Sequence, residues 1–561
     1  MQVEKPRFFE WEHYRSEALT TLSQRDRGEH PVVIVGAGPV GLTLALTLAK
    51  HQIRVVVLEA KDQLSDNSRT LAVARRSVQI MDRLGVATPF TTHAITREFN
   101  YLFHGDRLIK QSTYGCNEQE KYPDISVLQQ PWTEKILLDG VLASPMVDIR
   151  WKHAVIDIDT TAPLRPLLSV QAPDGTYQLH ARYVVAADGA RGQVRRSMGL
   201  KYEEIGDGVL ARNFVICDFE LQSDLPIARR LWVCPPYRPH SAVILHRQPF
   251  DTWRLDYALD DDEDLNEALQ PDAVAKNIKA QLDLMGLPTD TFRLVWISSY
   301  RPMSRSLPSY RYESVFFVGD AAHQTPIFGG RGMNQGMLDA ANLGWKLAFV
   351  LKGLSPDKLL DTYDSERRPL IVQNLHDIGL ATLCMTAPTR GASRMRKAAF
   401  DLLPTESFVI PLIDAFNANK SECLDVRNHV NPDDAVPGNP LPDCRVTMRG
   451  KSTYLHDLLN PTAFTCFQFS ATERIEDKSP SSTAVHESDV PTSIVVALGP
   501  TENAAAVFID DAARQRLNAN DGDWLLVRPD GYIHARLSKP SSQQIRQQYL
   551  HAIGRSADVT E

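Results

Sequence analysis

Cysteine is sparse in this chain and follows no pattern. The seven cysteines (Cys116, Cys217, Cys234, Cys384, Cys423, Cys444 and Cys466) are odd in number, scattered, and never spaced as Cys-x-x-Cys. That spacing excludes a disulfide framework and zinc ligation, so no metal site is expected and most of the thiols read as small buried apolar groups. Long hydrophobic runs are missing too. No stretch reaches the roughly 18 apolar residues that span a bilayer, so no membrane span is expected. The first thirty residues are charged and carry no apolar signal-type core, and a cytoplasmic location is the expectation. Positive charge is not in excess: 61 Lys and Arg stand against 69 Asp and Glu, a net charge of −8, which argues against nucleic acid as a partner. Internal repeats are absent.

What is present is an ordinary globular composition, 43% apolar and 23% charged over 561 residues, enough chain for two or three domains with self-sufficient cores. Residues 1–30 read as a polar arm with one short helix near Trp11–Ser23. Val32-Val33-Ile34-Val35 is a buried parallel-strand run. A helix over about 40–50 and a second strand over 54–59 complete a βαβ unit. Residues 31–200 and 311–430 form one nucleotide-binding domain. Residues 201–310, with β-type runs such as 213–218 and 253–258, read as a separate sheet inserted into that domain. Val315-Phe316-Phe317-Val318 returns the chain to the first domain and precedes a long helix with Ala340, Leu343, Leu347 and Val350 on one apolar stripe. Residues 431–442 carry four prolines and read as a linker. Residues 443–561 form a smaller α/β unit with a Ser/Pro-rich loop at 479–492.

The most informative local pattern is Gly36-Ala37-Gly38-Pro39-Val40-Gly41 directly after the first strand. Gly36 permits the tight turn, Gly38 lets a pyrophosphate reach the backbone, and Gly41 lets helix and strand close up. The helix behind it offers free N–H groups and a positive dipole end to phosphate. Glu59 ends the second strand, where an acid accepts ribose hydroxyls. A solvated strand end is the plain alternative for Glu59, as a surface position is for Arg69.

Two later motifs separate FAD from NAD. Asp188-Gly189-Ala190-Arg191-Gly192 follows a strand, and Gly319-Asp320-Ala321-Ala322-His323-Gln324-Thr325-Pro326 follows another, leading into Gly329-Gly330-Arg331-Gly332-Met333-Asn334. With the first glycines, this ordered trio resembles the group A flavoprotein aromatic monooxygenases, the para-hydroxybenzoate hydroxylase-like family. The resemblance spans roughly residues 30–375, including Asp364-Ser365-Glu366-Arg367-Arg368-Pro369. It implies a mixed α/β fold: an FAD-binding Rossmann-like domain with an inserted β-sheet substrate domain. A tail around Arg528-Pro529-Asp530-Gly531 resembles the thioredoxin-like C-terminal domain of the 3-(3-hydroxyphenyl)propionate and phenol hydroxylases; without Cys-x-x-Cys it implies a structural or homodimer-related role. Two positions depart from the family: Gly192 stands where a serine is usual, and Ile327 replaces a second proline.

The resemblance also implies roles. FAD would be held by Gly36, Gly38, Pro39, Gly41, Glu59, Arg69, Gln130, Asp188, Asp320, Pro326, Gly330, Gly332, Met333 and Asn334. Asp320 would take the ribityl hydroxyls or act as an N-cap, and the 329–334 run would stabilise negative charge on reduced flavin. Arg75 and Arg76 compete with Arg69 for the phosphates, and Gln129 competes with Gln130. Pro326 and Arg254 would flank the reacting flavin. Tyr257 would be catalytic or substrate-binding, and His246 and Tyr300 substrate-binding, each against an ordinary strand reading. Arginines 212, 229, 230 and 247 are candidate carboxylate anchors. NADH or NADPH would reduce the flavin without a second Rossmann site, and O2 would give a C4a-hydroperoxide that hydroxylates a small phenolic substrate. Alternatives on the same fold are a polyketide-type hydroxylase, epoxidase or reductase, a halogenase (whose Trp-x-Trp-x-Ile-Pro motif is absent), and a non-catalytic flavin-binding protein.

Overall fold

The apolar run after His30 becomes the centre of a sheet because both of its faces are covered. The computed structural model describes residues 2–21, 28–66, 68–114, 117–206, 212–326, 328–413, 422–424, 434–471, 491–499 and 507–555. Cys116, Ile327, the start of the proline-rich linker at 431–433 and residues 479–490 of the Ser/Pro-rich loop lie outside the described residues. The strand Glu29–Val35 pairs in parallel with Val55–Glu59 on one side and Gly175–Ala186 on the other. Val147–Trp151 and Val315–Phe317 extend the parallel set at either end. Residues Val32, Val33 and Ile34 are fully buried, as a doubly covered parallel strand requires. The helices Pro39–Lys50 and Gly332–Leu351 pack against each other.

The chain leaves this domain near Glu203–Glu204 and returns near Arg305–Ser306. These two short strands pair with each other, and Arg305–Ser306 pairs in turn with His323–Gln324. The returning end of the insertion is therefore tied directly to the segment that leads into Thr325 and Pro326, and the leaving end through it. The inserted sheet has seven strands, in the order Arg293–Tyr300, Phe214–Glu220, Thr252–Ala258, Ala242–Arg247, Ala228–Val233, Phe99–His104, Arg107–Thr113. The last two come from before residue 200, so the inserted sheet draws on residues outside the 201–310 segment read from sequence. Phe99–His104 adds in parallel to Ala228–Val233, a long-range pairing that local pattern does not report.

Two other expectations are corrected. Residues 11–18 are not helical; a helical turn starts only at Leu19. Aromatic contacts pin this arm in an irregular path instead. Tyr14 stacks on Trp151 at 4.4 Å, Phe9 meets Trp132 edge-on at 5.4 Å, and the Trp11 indole donates to Ser65 O at 3.0 Å. The long helix Gly332–Leu351 is also not one-sided. Met333 through Val350 are all buried, because a second helix, Asp361–Thr386, and the C-terminal unit cover what would otherwise be its solvent face.

The C-terminal unit is a seven-stranded mixed sheet containing the hairpin Asp523–Val527 and Ile533–Ser538. The turn between these strands, Arg528 to Tyr532, docks on the long helix. Arg528 forms a two-pronged pair with Glu366 (2.8 and 3.0 Å) and also binds Asp530. Asp530 takes hydrogen bonds from the Trp345 indole (3.2 Å) and the Asn342 amide (3.3 Å). Lys346, fully buried, donates to Glu366 at 2.8 Å.

Candidate active site

The glycine turn is built as its spacing predicts. Gly36 has φ +107°, and a Cβ there would lie 2.5 Å from Ala187 O; at Gly41 it would lie 2.1 Å from Gly36 O. Side chains are thus excluded by backbone at both positions. At Gly38 a Cβ would meet nothing within 4 Å, so the loop is open on the side a phosphate would approach. Pro39 begins the helix at its first turn. Glu59 accepts the Ala37 N–H at 2.8 Å and the Lys61 N–H at 2.9 Å, which aims its carboxylate across the turn.

Asp188 sits at the start of a short helix and accepts the Val194 N–H at 3.0 Å, while its Oδ1 is buried without a partner. Burial raises its carboxyl, with the Val194 N–H and Arg195 opposing. A Cβ at Gly192 would fall 2.2 Å from Asp188 Oδ1. The usual serine cannot stand here while Asp188 keeps this pose, so the departure at 192 and the inward turn of Asp188 are one feature.

A cleft lies between the two sheets, with a cavity volume of about 290 Å³, at the lower end of the ~300–1,000 Å³ of a small-molecule site. Arg69, Asp320, Thr325, Pro326, Gly330, Gly332 and Met333 line its cofactor side. The three competing arginines differ in their partners. Arg75 is committed to Glu120 and Asp124, and Arg76 to Glu422, whereas Arg69 faces the cleft. Gln130 accepts the N–H groups of Arg69 (3.2 Å) and Thr70 (3.1 Å), so it shapes the loop that presents Arg69. Gln129 instead points at the inserted sheet and donates to Pro249 O.

Asp320 is exposed only into this cleft. Enclosure raises its carboxyl, while His323 and Arg69 pull the other way. It makes no capping bond. A Cβ on Gly332 would lie 3.8 Å from Asp320 Oδ1, so Asp320 stands beside the uncapped N-terminus of the long helix, whose first N–H groups are free of side-chain partners. Asn334 is different. Its side chain accepts from Ala74 N and Ser77 Oγ, and donates to Ala72 O and Gly330 O. Those four bonds occupy it fully; it fixes the glycine loop and offers the cofactor no side-chain group.

Beneath the loop lies a buried ionic cluster. Asp339 accepts from His323 Nε2 (2.7 Å), Arg367 Nε (2.8 Å) and Gly319 N (3.1 Å), and all three side chains are fully buried. Burial alone would raise the Asp339 carboxyl, but Arg367 and His323 hold it below the ordinary range. Neighbouring Asp364 accepts the Tyr310 N–H at 2.5 Å, and Arg368 donates to Leu307 O at 2.9 Å. The 364–368 run therefore serves as the floor under the cofactor loop.

The opposite wall is the inserted sheet, where cross-strand register decides which candidates face the cleft. Asn100, Arg229, His246, Arg254 and Asp218 are successive partners across five neighbouring strands. Arg254, 1% exposed, binds Asp218 through Nε and Nη2, both at 2.8 Å, and its Nη1 has no partner. His246 lies against Arg97, with Nδ1 3.3 Å from its Nη2. Burial, then Arg97, Arg229 and Arg254, push its pKa well below the usual imidazole value, so it is neutral. Tyr300 lines the cleft with its hydroxyl unpartnered and stacks on Phe214 at 5.6 Å.

Tyr257 is a correction. It packs with Trp253 and Leu255 in the core on the far face, under Arg238. Side chains alternate along a strand, so Asp256, not Tyr257, shares the cleft face with Arg254. Asp256, Arg97 and Ile244 are lining residues that sequence reading missed. Of the four arginines proposed as anchors, Arg229 lines the cleft. Arg212 turns to His240 O and Asp260–Asp261, Arg230 lies over Tyr101, and Arg247 donates to Leu225 O.

A glycine turn that excludes side chains, an orphaned Asp188 oxygen, and an uncapped helix facing a two-sided cleft fit FAD, as in a flavoprotein. Residues 29–377 match the FAD binding domain family, and the chain belongs to it. FAD is its cofactor. Para-nitrophenol 4-monooxygenase of Pseudomonas sp. (strain WBC-3) is 32% identical over 372 residues, covering 66% of this chain and 90% of that enzyme. A 3-(3-hydroxy-phenyl)propionate/3-hydroxycinnamic acid hydroxylase of Mycobacterium sp. (strain JLS) is 29% identical over 62% of this chain; the match takes in 59% of that enzyme's length. The solved flavin-dependent monooxygenase PieE, in complex with FAD and substrate, shares the fold with a TM-score of 0.80 at 19% identity, over 94% of this chain and 99% of that one. Among the described residues no helix is long and apolar enough to cross a membrane.

Proposed function

We propose that this protein is a cytoplasmic enzyme that hydroxylates a small phenolic ring, with FAD as cofactor and NADH or NADPH and O2 as co-substrates. The observation that carries the reading is the cleft itself: the Pro326 loop and the open helix end share it with a polar row of Arg229, His246 and Arg254. Bound FAD supplies electron transfer from the nicotinamide and activation of O2. The chain's residues do the rest. Gly36, Gly38 and Gly41 bring backbone N–H groups to the pyrophosphate, and Glu59 and Asp320 take hydroxyls. Gly330, Gly332 and Met333 place helix N–H groups where negative charge develops on the ring system. Arg254, with an unused N–H, and Tyr300, with a free hydroxyl, orient an oxygen of the substrate. Ile216, Ile244 and Phe328 exclude water from the ring. The relatives named for nitrophenol and hydroxyphenylpropionate support a phenolic substrate here.

The test is purification with its flavin spectrum, followed by NADH and NADPH oxidation over a panel of phenols and phenolic acids, each with product mass. Stimulated oxidation with gain of one oxygen is the expected result. Well-folded protein that takes up no FAD, or oxidation that yields peroxide and no oxygenated product across the panel, refutes it.

A further inference from the structure

A carboxylate flanked on its sheet by two isoleucines needs a reason. Asp256 is 4% exposed, and its cross-strand partners are Ile216 and Ile244. Arg254, two residues away on the same face, turns Nε and Nη2 to Asp218 and not to Asp256. No described residue donates a hydrogen bond or forms an ion pair with the Asp256 carboxylate, and Asp256 lines the same cleft as Pro326 and Phe328. Burying a carboxyl without a hydrogen-bond donor is costly, and Arg254 and Arg229 offset that cost only through their charge.

The groups that face it come from every neighbouring strand: Asp218 from Phe214–Glu220, Arg254 on its own strand, His246 from Ala242–Arg247, Arg229 from Ala228–Val233 and Tyr300 from Arg293–Tyr300. Among these, proton acceptors are few. Asp218 already accepts from Arg254 twice and from Gln248. His246 is held neutral and resists a proton, because three arginines surround it. Tyr300 is held protonated by burial and by Asp256, so it can only donate. Asp256 alone has free acceptor atoms facing the ring.

We propose that Asp256 is the catalytic base of this enzyme, taking the proton of the substrate's ring hydroxyl while Arg254 Nη1 and the Tyr300 hydroxyl receive the resulting phenolate. The phenol O–H bond breaks, an Oδ–H bond forms on Asp256, and the electron pair stays on the phenolate oxygen and spreads into the ring. This raises electron density at the carbon to be hydroxylated. The assignment rests on the phenolic reading above. Burial, offset by Arg254, raises the Asp256 carboxyl to about 7, near where a general base works best.

The test uses FAD-loaded enzyme with 3-(3-hydroxyphenyl)propionate, whose phenol ionises near pH ~10 in water, at a pH above the Asp256 midpoint. Ultraviolet difference spectra report phenolate formed on binding, and a pH dye reports protons released. Wild type is expected to form bound phenolate and release no proton, because Asp256 keeps it. Asp256→Asn is expected either to bind neutral phenol or to form phenolate with a full proton released. Its kcat should fall by about 10²–10⁴-fold, with FAD content and KM little changed, and the rising limb of the pH profile near 7 should vanish. Asp256→Glu should restore part of the rate. Phenolate formation in wild type with a full equivalent of proton released, or Asp256→Asn within threefold of wild type, overturns the assignment while leaving the phenolic reading intact. Absence of any binding spectrum with this and other phenols defeats the phenolic reading itself.

Discussion

Asp339 lies below the cofactor loop and touches no part of the cleft, yet its removal should weaken both the fold and FAD binding. Asp339→Ala strands the fully buried Arg367 guanidinium and frees the Gly319 N–H and His323 Nε2 together. Breaking one side of a buried ion pair costs about 3–5 kcal/mol, against a total stability on the order of 5–15 kcal/mol. At ~2–4 °C per kcal/mol for a domain of this size, the melting temperature should fall by roughly 10 °C. Gly319 opens the turn that carries Asp320, so FAD affinity should drop by about tenfold, equivalent to ~1.4 kcal/mol. The pair variant Asp339→Leu with Arg367→Met removes both charges and should recover much of the loss. Because Asp339 titrates below the ordinary carboxyl range in the fold, its contribution is present above that range and lost on acidification through it. Thermal unfolding and flavin fluorescence titration of the three proteins decide the matter. A single variant within ~1 kcal/mol of wild type, or a pair variant worse than the single, refutes the reasoning.

Gly41→Ala places a methyl against a backbone carbonyl at 2.1 Å; the protein should purify folded but depleted in flavin, as absorbance would record. Tyr300→Phe should raise KM for phenols several-fold, whereas Tyr257→Phe, on the far face of the strand, should leave it unchanged in steady-state assays. Glu366→Gln should loosen the C-terminal hairpin, because Arg528, Lys346 and Asn342 all converge on that carboxylate. A melting loss of about 3 kcal/mol is expected, and since Glu366 titrates below its ordinary value, the difference from wild type should shrink as pH falls below that value. Asp256→Asn should stabilise the protein most at alkaline pH. The rise of that carboxyl from 3.8 to about 7 means its charged form costs up to ~4 kcal/mol above that point and nothing below the unfolded value, which denaturation at two pH values would measure.

The glycine motifs were legible because each is contiguous and answers to a local constraint: Gly36 needs its positive φ, and Gly41 has no room for a Cβ. The inserted sheet was legible as strands but not as a wall. Residues 253–258 alternate Trp, Arg, Leu, Asp, Tyr, Ala, and with Arg254 placed in the site the period of two already selects Asp256 and rejects Tyr257. That signal was in the sequence and went unused. Choosing Arg229 over Arg230 requires knowing which face of its strand meets the cleft, which follows only from pairing with His246. Arg97 gave no signal at all, since it reaches His246 across 149 positions.

The long helix explains why three distant parts of the sequence keep their chemistry together. Its apolar stripe of Ala340, Leu343, Leu347 and Val350 is matched by a polar one, Gln335, Asp339, Asn342 and Lys346, at the same helical spacing and equally buried. A buried polar stripe is tolerable only if partners meet it at every turn. Here Arg367 meets Gln335 and Asp339, Glu366 meets Asn342 and Lys346, and the Arg528–Asp530 turn closes the far end. At the near end, Gly336 admits Val40 of the glycine-turn helix to 2.5 Å from where its own Cβ would stand, and Gly332 and Met333 open on the cleft. The helix thus fixes the phosphate turn, the Pro326 loop and the C-terminal hairpin to one rigid axis. Displacing the hairpin leaves Glu366 without Arg528, and Asn342 and Trp345 without Asp530, and the strain reaches the cleft through Arg367 and Asp339. The C-terminal unit contributes to the site through this chain of buried charges, although none of its described residues lines the cleft.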